Sequence, residues 1–291
     1  MGMQVSRRAL LKQIGFATLL QWAPVAAWPA GETLRFGIMG DRTGKAKPGV
    51  YEAAAKQIVT EKPEFILNIG DSIEGRNDAT ARQEWAEMQA IWRGYGKIPH
   101  YFTPGNHDIW SDGSAELYTE ITGRQPKYSF SHRSCHVTVL DNSRTNILEN
   151  DQLDFLRDDL RKHRDAPLKL VSFHRPYWLP FLAVESGEFA LHQLCKEHGV
   201  KMVLSGHIHR LTHFHRDDVT YVTIGSSGGN IGQEAEPRLA FRKGWFYQYG
   251  ILEATANGIQ LAIQELPGPL GEGQRVPIEN WERDHIKGLQ G

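Results

Sequence analysis

Along most of the chain, short apolar runs alternate with segments whose apolar positions recur every three or four residues. The runs 34–40, 64–69, 98–103, 168–173 and 201–205 read as strands. Segment 48–62 carries Val50, Ala54 and Ile58 on one helical face, 79–93 carries Trp85, Met88 and Trp92, and 151–163 carries Leu153, Leu156 and Leu160. Each predicts a helix with that face inward. A further helix is expected over 188–198, stopped by Gly199. Residues 128–140 mix apolar and polar positions as a half-buried strand does. From residue 213 the pattern turns to strands, at 213–214, 220–224, 245–254 and 259–265, with Asn257-Gly258 as a hairpin turn. Alternation followed by antiparallel strands predicts layered α/β architecture around a central β sandwich.

The two ends stand outside this pattern. Ser6-Arg7-Arg8-Ala9-Leu10-Leu11-Lys12 precedes an apolar stretch from Ile14 to Ala27 that ends in small residues. A basic start, a modest apolar centre and a small-residue end predict an export signal over 1–30. Its paired arginines resemble the twin-arginine type, so the mature protein is expected in the periplasm or outside the cell. A membrane anchor needs roughly 20 apolar residues, and this stretch is shorter and interrupted by Gln21 and Pro24. No later segment is apolar enough to span a bilayer. One domain is expected over 31–266, with 267–291, rich in Gly, Pro and charge, as a surface tail.

Composition narrows the partners. With 40% hydrophobic and 23% charged residues, the chain suits one globular domain with a substantial core. A formal net charge of -1 supplies no basic field, so no nucleic-acid partner is expected. Nothing in the pattern specifies an oligomeric state. Cys135 and Cys195 are too few for a disulfide framework and read as buried free thiols.

The chemistry collects directly after the strands, where α/β folds bind ligands. Five polar clusters occur there: Gly40-Asp41-Arg42-Thr43, Gly70-Asp71-Ser72-Ile73-Glu74, Gly105-Asn106-His107-Asp108, His174, and Gly206-His207-Ile208-His209. Taken singly, a Gly-Asp pair is a turn and a lone His a core residue. Leaving aside Glu74, His107 and Asp108, they offer two carboxylates, an amide and three imidazoles, a donor mix that suits Mn, Fe or Zn. In an extended chain His207 and His209 would project to one face, one for each of two neighbouring ions. A carboxylate shared between ions about 3.5–4 Å apart forms the clamp used in phosphoryl transfer.

This ordered set resembles the calcineurin-like metallophosphoesterase superfamily, over roughly residues 34–265. The resemblance implies a four-layer αββα sandwich of two mixed β-sheets flanked by helices. It also implies a centre of two divalent or trivalent ions at one end. By analogy Asp71 bridges the ions, Asp41 and His209 serve the first, and Asn106, His174 and His207 serve the second. A metal-bridging hydroxide would attack a phosphate mono- or diester in line, on a small phosphate-ester substrate. His107 would assist the leaving group, with Glu74 as its carboxylate partner where many relatives carry Asp.

One departure matters. Many relatives carry Asp-x-His in the first motif, and here Thr43 holds the place of that His. Unequal occupancy of the two sites is therefore expected, and a second reading stays open: a non-catalytic metal- or ligand-binding module with a degenerate first site. Arg42 and Arg175 each follow a proposed ligand and could grip a phosphate oxygen, or form surface ion pairs. Trp110, Tyr177 and Trp178 could wall the cleft or fill core. Residues 176–184 could form an apolar lip or pack a loop. His213 and His215 read as strand residues, and Ser72 has no base beside it.

Overall fold

The computed structural model describes residues 28–183, 188–232, 241–268 and 271–281. The expected export signal therefore lies almost wholly outside the described residues, as do 282–291.

Two sheets of six strands form the centre, and β12 (Pro267–Gly268) and β13 (Gly271–Glu272) pair separately as a two-stranded sheet. The first contains β1 (Leu34–Met39), β2 (Ile66–Asn68), β3 (His100–Phe102), β10 (Gln248–Thr255), β11 (Gly258–Glu265) and β14 (Arg275–Pro277), in the order β14-β11-β10-β1-β2-β3. Strands β1, β2 and β3 run parallel, and β10 and β11 antiparallel to their neighbours. The second contains β4 (Tyr128–His132), β5 (Cys135–Val139), β6 (Leu168–Ser172), β7 (Met202–Ser205), β8 (Thr212–Arg216) and β9 (Val219–Thr223), in the order β4-β5-β6-β7-β9-β8. Here β5, β6, β7 and β9 are parallel, closed at each edge by an antiparallel strand.

Alternation along the strands sorts the side chains into layers. Phe36, Ile38, Leu67 and Leu252 from the first sheet meet Val137, Leu170, Leu204 and Val222 from the second in one buried cluster. Their neighbours face outward: Ile66 and Ile251 pack under α1 (Val50–Thr60), α2 (Asp78–Arg93) and α3 (Asp112–Thr122). Val171, Val203 and Tyr221 pack under α4 (Asn150–Lys162), α5 (Leu179–Ala183) and α6 (Ala190–Glu197). The result is the expected α/β sandwich of four layers. Trp85 on α2 and Trp178 before α5 are fully buried in the two outer layers. Truncating either ring to Ala would cost about 3–5 kcal/mol.

Local chemistry sets the boundaries. Asn77 caps α2 by accepting from Ala79 N, and α6 ends before Gly199, whose φ of 66° continues no right-handed helix. Helix α3 is an addition to the sequence reading. Ser111 and Ser114 form a capping box, and Gly123 closes the helix at φ 69°.

Three expectations need correction. The single strand over 128–140 is a hairpin, because Arg133 turns the chain at φ 49° between β4 and β5. The turn after β10 is Ala256-Asn257, with Gly258 already paired to Thr255. The surface tail expected from 267 instead contributes β14 to the edge of β11, and buries Ile278 and Trp281 in the inter-sheet cluster. Cys135 and Cys195 are buried and free, as expected, and burial raises both thiols far above their usual range. Among the described residues no helix is long and apolar enough to cross a membrane.

Candidate metal centre

Every cluster anticipated from sequence sits at the carboxyl end of a strand, and both sheets present those ends on the same side. Asp41 follows β1, Asp71 follows β2, Asn106 and His107 follow β3, His174 follows β6, and His207 and His209 follow β7. The structure brings five of these residues into two donor groups that share one residue. Donor atoms of Asp71, His174 and His207 lie within 4.8 Å of one another, and so do those of Asp41, Asp71 and His209.

Backbone conformation aims these side chains. Asp41, Asp71, His207 and His209 all occupy the left-handed region, at φ 48°, 55°, 71° and 53°. Non-glycine residues adopt it at a cost of order 1–3 kcal/mol each, and only where the surroundings enforce it. This corrects the expectation of an extended His-x-His segment: the two imidazoles part because the chain turns at each. Gly70, at φ 104°, lies so close to His174 that an added Cβ would stand 2.5 Å from its Nδ1.

Hydrogen bonds then fix the ring nitrogens. His174 Nδ1 donates to the Ile69 carbonyl at 2.8 Å, and His209 Nδ1 donates to the Asn230 carbonyl at 2.5 Å. Each Nε2 is thereby turned to the centre, the arrangement a metal-binding imidazole requires. His174 Nε2 lies 3.1 Å from Asp71 Oδ2 and His209 Nε2 3.5 Å from Asp41 Oδ1. The carboxylates are held from behind: Asp71 Oδ1 accepts the His107 N–H and Asp41 Oδ1 the His207 N–H, each at 2.9 Å. Asp41 Oδ2, Asn106 Oδ1 and His174 Nε2 are buried without a hydrogen-bond partner among the described residues. The His174 to Asp71 approach is close, but the groups are not aligned as a hydrogen bond. Orphaned buried oxygen and nitrogen atoms of these kinds suit hard or borderline cations.

The electrostatics agree with a site built for positive charge. Burial raises Asp41 to about 6, against the lowering influence of His209 and His174. Burial also opposes ionisation of Asp71, yet the charge of His174 overcomes it and holds Asp71 below the usual carboxylate range. In return Asp71 outweighs the burial of His174 and raises it to about 9. Burial, with repulsion from His174, lowers His207 to about 4. A cation would replace the His174 proton, since ligands bind metal deprotonated.

Several expected roles change. His107 Nδ1 donates to the backbone carbonyl of Glu74 at 2.5 Å, not to its carboxylate. That carboxylate accepts from Ala46 N at 2.9 Å and Gly44 N at 3.3 Å, bracing the loop after Asp41. Arg42 likewise braces: Nη1 donates to the Ser72 carbonyl at 3.0 Å, and its guanidinium lies 5.8 Å from the Tyr51 ring centroid. Arg175 is clamped through its backbone by Asn142, and its Nη1 donates to Asn146 Oδ1 at 2.6 Å. Thr43 is fully buried and donates to the Asp71 carbonyl at 3.1 Å, tying the first two ligand loops together. Trp178 is core, and Tyr177 packs beside Phe173 and Phe181. Trp110 packs against the outer cluster of the first sheet.

Two groups carry the centre without having been assigned a part. Asp108 accepts from Ser72 N at 2.7 Å and Gly105 N at 2.9 Å, joining the Asp71 and Asn106 loops, and burial raises it to about 6. Ser226 donates to the Asp41 carbonyl at 2.8 Å, and Gly229 N donates to the same oxygen. The run Ser226-Ser227-Gly228-Gly229 after β9 is a sequence signal that could have pointed to this support.

This fold with donors at the strand ends defines a class, and comparison with known proteins agrees. Residues 34–211 match the model of the calcineurin-like phosphoesterase family. The chain belongs to that family. Among solved structures it is similar to a purple acid phosphatase from yellow lupin seeds, at 15% identity and TM-score 0.60, covering 87% of this chain and 52% of that one. This chain thus spans about half the length of the lupin protein. It is similar to a dimetal phosphatase from Danio rerio, at 13% identity and TM-score 0.58, covering 88% and 99% of the two chains. It is also similar to GAP50, the anchor in the inner membrane complex of Plasmodium, at 18% identity and TM-score 0.59, covering 89% and 93%. At these identities the likeness is one of fold. No curated protein matches by sequence.

Proposed function

We propose that the protein is a phosphoesterase that holds two metal ions and hydrolyses a small phosphate mono- or diester. The observation that supports it most is the pair of donor groups meeting at Asp71. Asp41, Asp71 and His209 would hold one ion, and Asp71, Asn106, His174 and His207 the other. Mn, Fe and Zn fit these donors. When bound, two such ions supply an acidified water and neutralise charge on the phosphate oxygens.

The remaining work falls to the chain itself. His107 is half-buried at the mouth, with Nδ1 fixed by the Glu74 carbonyl. Its Nε2 is the atom that would carry a proton to the departing oxygen. Arg175, whose Nε lacks a hydrogen-bond partner among the described residues, is the candidate contact to a non-bridging oxygen. Export by the twin-arginine route, which carries folded proteins, would suit an enzyme loaded with metal before it leaves the cytoplasm.

A second reading has one observation behind it. Thr43 spends its hydroxyl on the Asp71 carbonyl, so the first ion would have one ligand fewer, as in a binding module that lost turnover. The two readings separate on a panel of p-nitrophenyl phosphate and bis-p-nitrophenyl phosphate with added Mn. Turnover of either ester supports the enzyme. Tight metal binding with neither ester cleaved would overturn it.

A further inference from the structure

A cleft of about 540 Å3 opens directly over the centre. His107, His207 and His209 line it together with Lys45, Ile208 and Trp245. Its volume suits a ligand larger than a phosphate group.

Trp245 is half-exposed there, and it is held rigidly. Leu211 N donates to the carbonyl of Gly244 at 2.9 Å, tying the backbone beside Trp245 to the segment that carries His207 and His209. The Arg210 guanidinium lies 5.6 Å from the indole centroid, and its Nε donates to the Lys243 carbonyl at 2.6 Å. A large ring left partly in water has an unmet apolar face, and one already immobilised loses little entropy on binding. Lys45, held at φ 64°, is exposed and makes no hydrogen bond or ion pair with any described residue.

Resting on the phosphoesterase reading above, we propose that this cleft selects esters whose leaving group carries a flat aromatic ring. Trp245 is the stacking wall and Lys45 a charge contact to the phosphate. Nucleosides are the biological class that fits, since their ring lies one sugar away from the ester bond.

Adenosine 5′-phosphate and ribose 5-phosphate test the idea, because they share the sugar and the reacting oxygen and differ in the ring. With Mn added, kcat/KM for the nucleotide should exceed that for the sugar phosphate about tenfold, the usual scale of base stacking on an aromatic. Trp245→Ala should reduce the ratio to about one, and Trp245→Phe should keep most of it. Lys45→Ala should raise KM for both esters and weaken its dependence on salt. No margin in the wild type, or an equal loss for both esters in Trp245→Ala, would overturn the assignment. If neither ester is cleaved, calorimetric affinities separate the two claims. A margin for the nucleotide that Trp245→Ala removes sustains the cleft while the hydrolase reading falls, and equal affinities in the wild type overturn the cleft.

Discussion

His107 leans on the main chain of Glu74, through a 2.5 Å hydrogen bond from Nδ1 to the carbonyl oxygen, while the Glu74 carboxylate turns away to the amides of Gly44 and Ala46. A carbonyl orients an imidazole without adding a charge beside it. Replacing the Glu74 carboxylate should therefore disturb catalysis far less than replacing the ring. Glu74→Gln is expected to lower kcat less than about tenfold, and His107→Asn to lower it about 10²–10³-fold with metal content unchanged. Steady-state kinetics with metal analysis on the same samples would check both. An equal collapse in the two variants would show the carboxylate to be the partner after all.

Metal binding should be unequal. The second group has Asp71, His174 and His207, to which the proposed ligand set adds the buried Asn106 oxygen, unpartnered among the described residues, whereas the first has Asp41, Asp71 and His209, with Thr43 already engaged. Dialysis against metal-free buffer should leave close to one ion per chain, and elemental analysis at rising free metal should show the second binding more weakly. Two ions retained equally would refute this.

Gly75 supports the His107 loop at φ 61°, and an added Cβ would overlap the His107 carbonyl oxygen. Gly75→Ala should destabilise by about 1–3 kcal/mol through the backbone and lower kcat as the imidazole is displaced. Thermal melting alongside kinetics reads both effects.

Asp159 on α4 is buried against the second sheet, where its carboxylate accepts from Thr138 at 2.6 Å, His136 at 2.8 Å and Ser129 at 2.8 Å. Burial opposes its charge, but these donors win and hold it below its usual 3.8. A depressed carboxylate contributes stability that is present above 3.8, its unfolded value, and lost as pH falls through the lower folded one. Asp159→Ala should cost about 3 kcal/mol at neutral pH, since it strands buried donors. Below pH 3.8 the gap between variant and wild type should narrow. Denaturant unfolding at several pH values checks this, and a gap constant with pH would contradict it.

Much of this was readable in the chain. Buried strands announce themselves through apolar runs, and an Asp or His just beyond each run falls at a strand end, so Asp41, Asp71, Asn106, His174, His207 and His209 could be named together. What escaped depends on backbone direction or on distant partners. The Glu74 carboxylate goes to Ala46 because the loop turns there, which residue type alone does not reveal. The turn at Arg133-Ser134 carries no Gly, Pro, Asn or Asp, so two strands read as one. Strand β14 is only three residues long, Arg275-Val276-Pro277, and gains its place by pairing with β11. Trp245 joins the cleft through Leu211 and Arg210, contacts between segments far apart in the sequence.

The centre is divided between the two halves of the sandwich: Asp41, Asp71 and Asn106 come from one sheet, and His174, His207 and His209 from the other. Neither sheet alone offers a complete set, and the first is finished only when β10, β11 and β14, near the end of the chain, add in turn beside β1. A nascent or half-folded molecule would consequently be unable to capture ions in this geometry. Uptake of metal would then serve as a late timestamp of maturation, recorded only after nearly the whole polypeptide has docked.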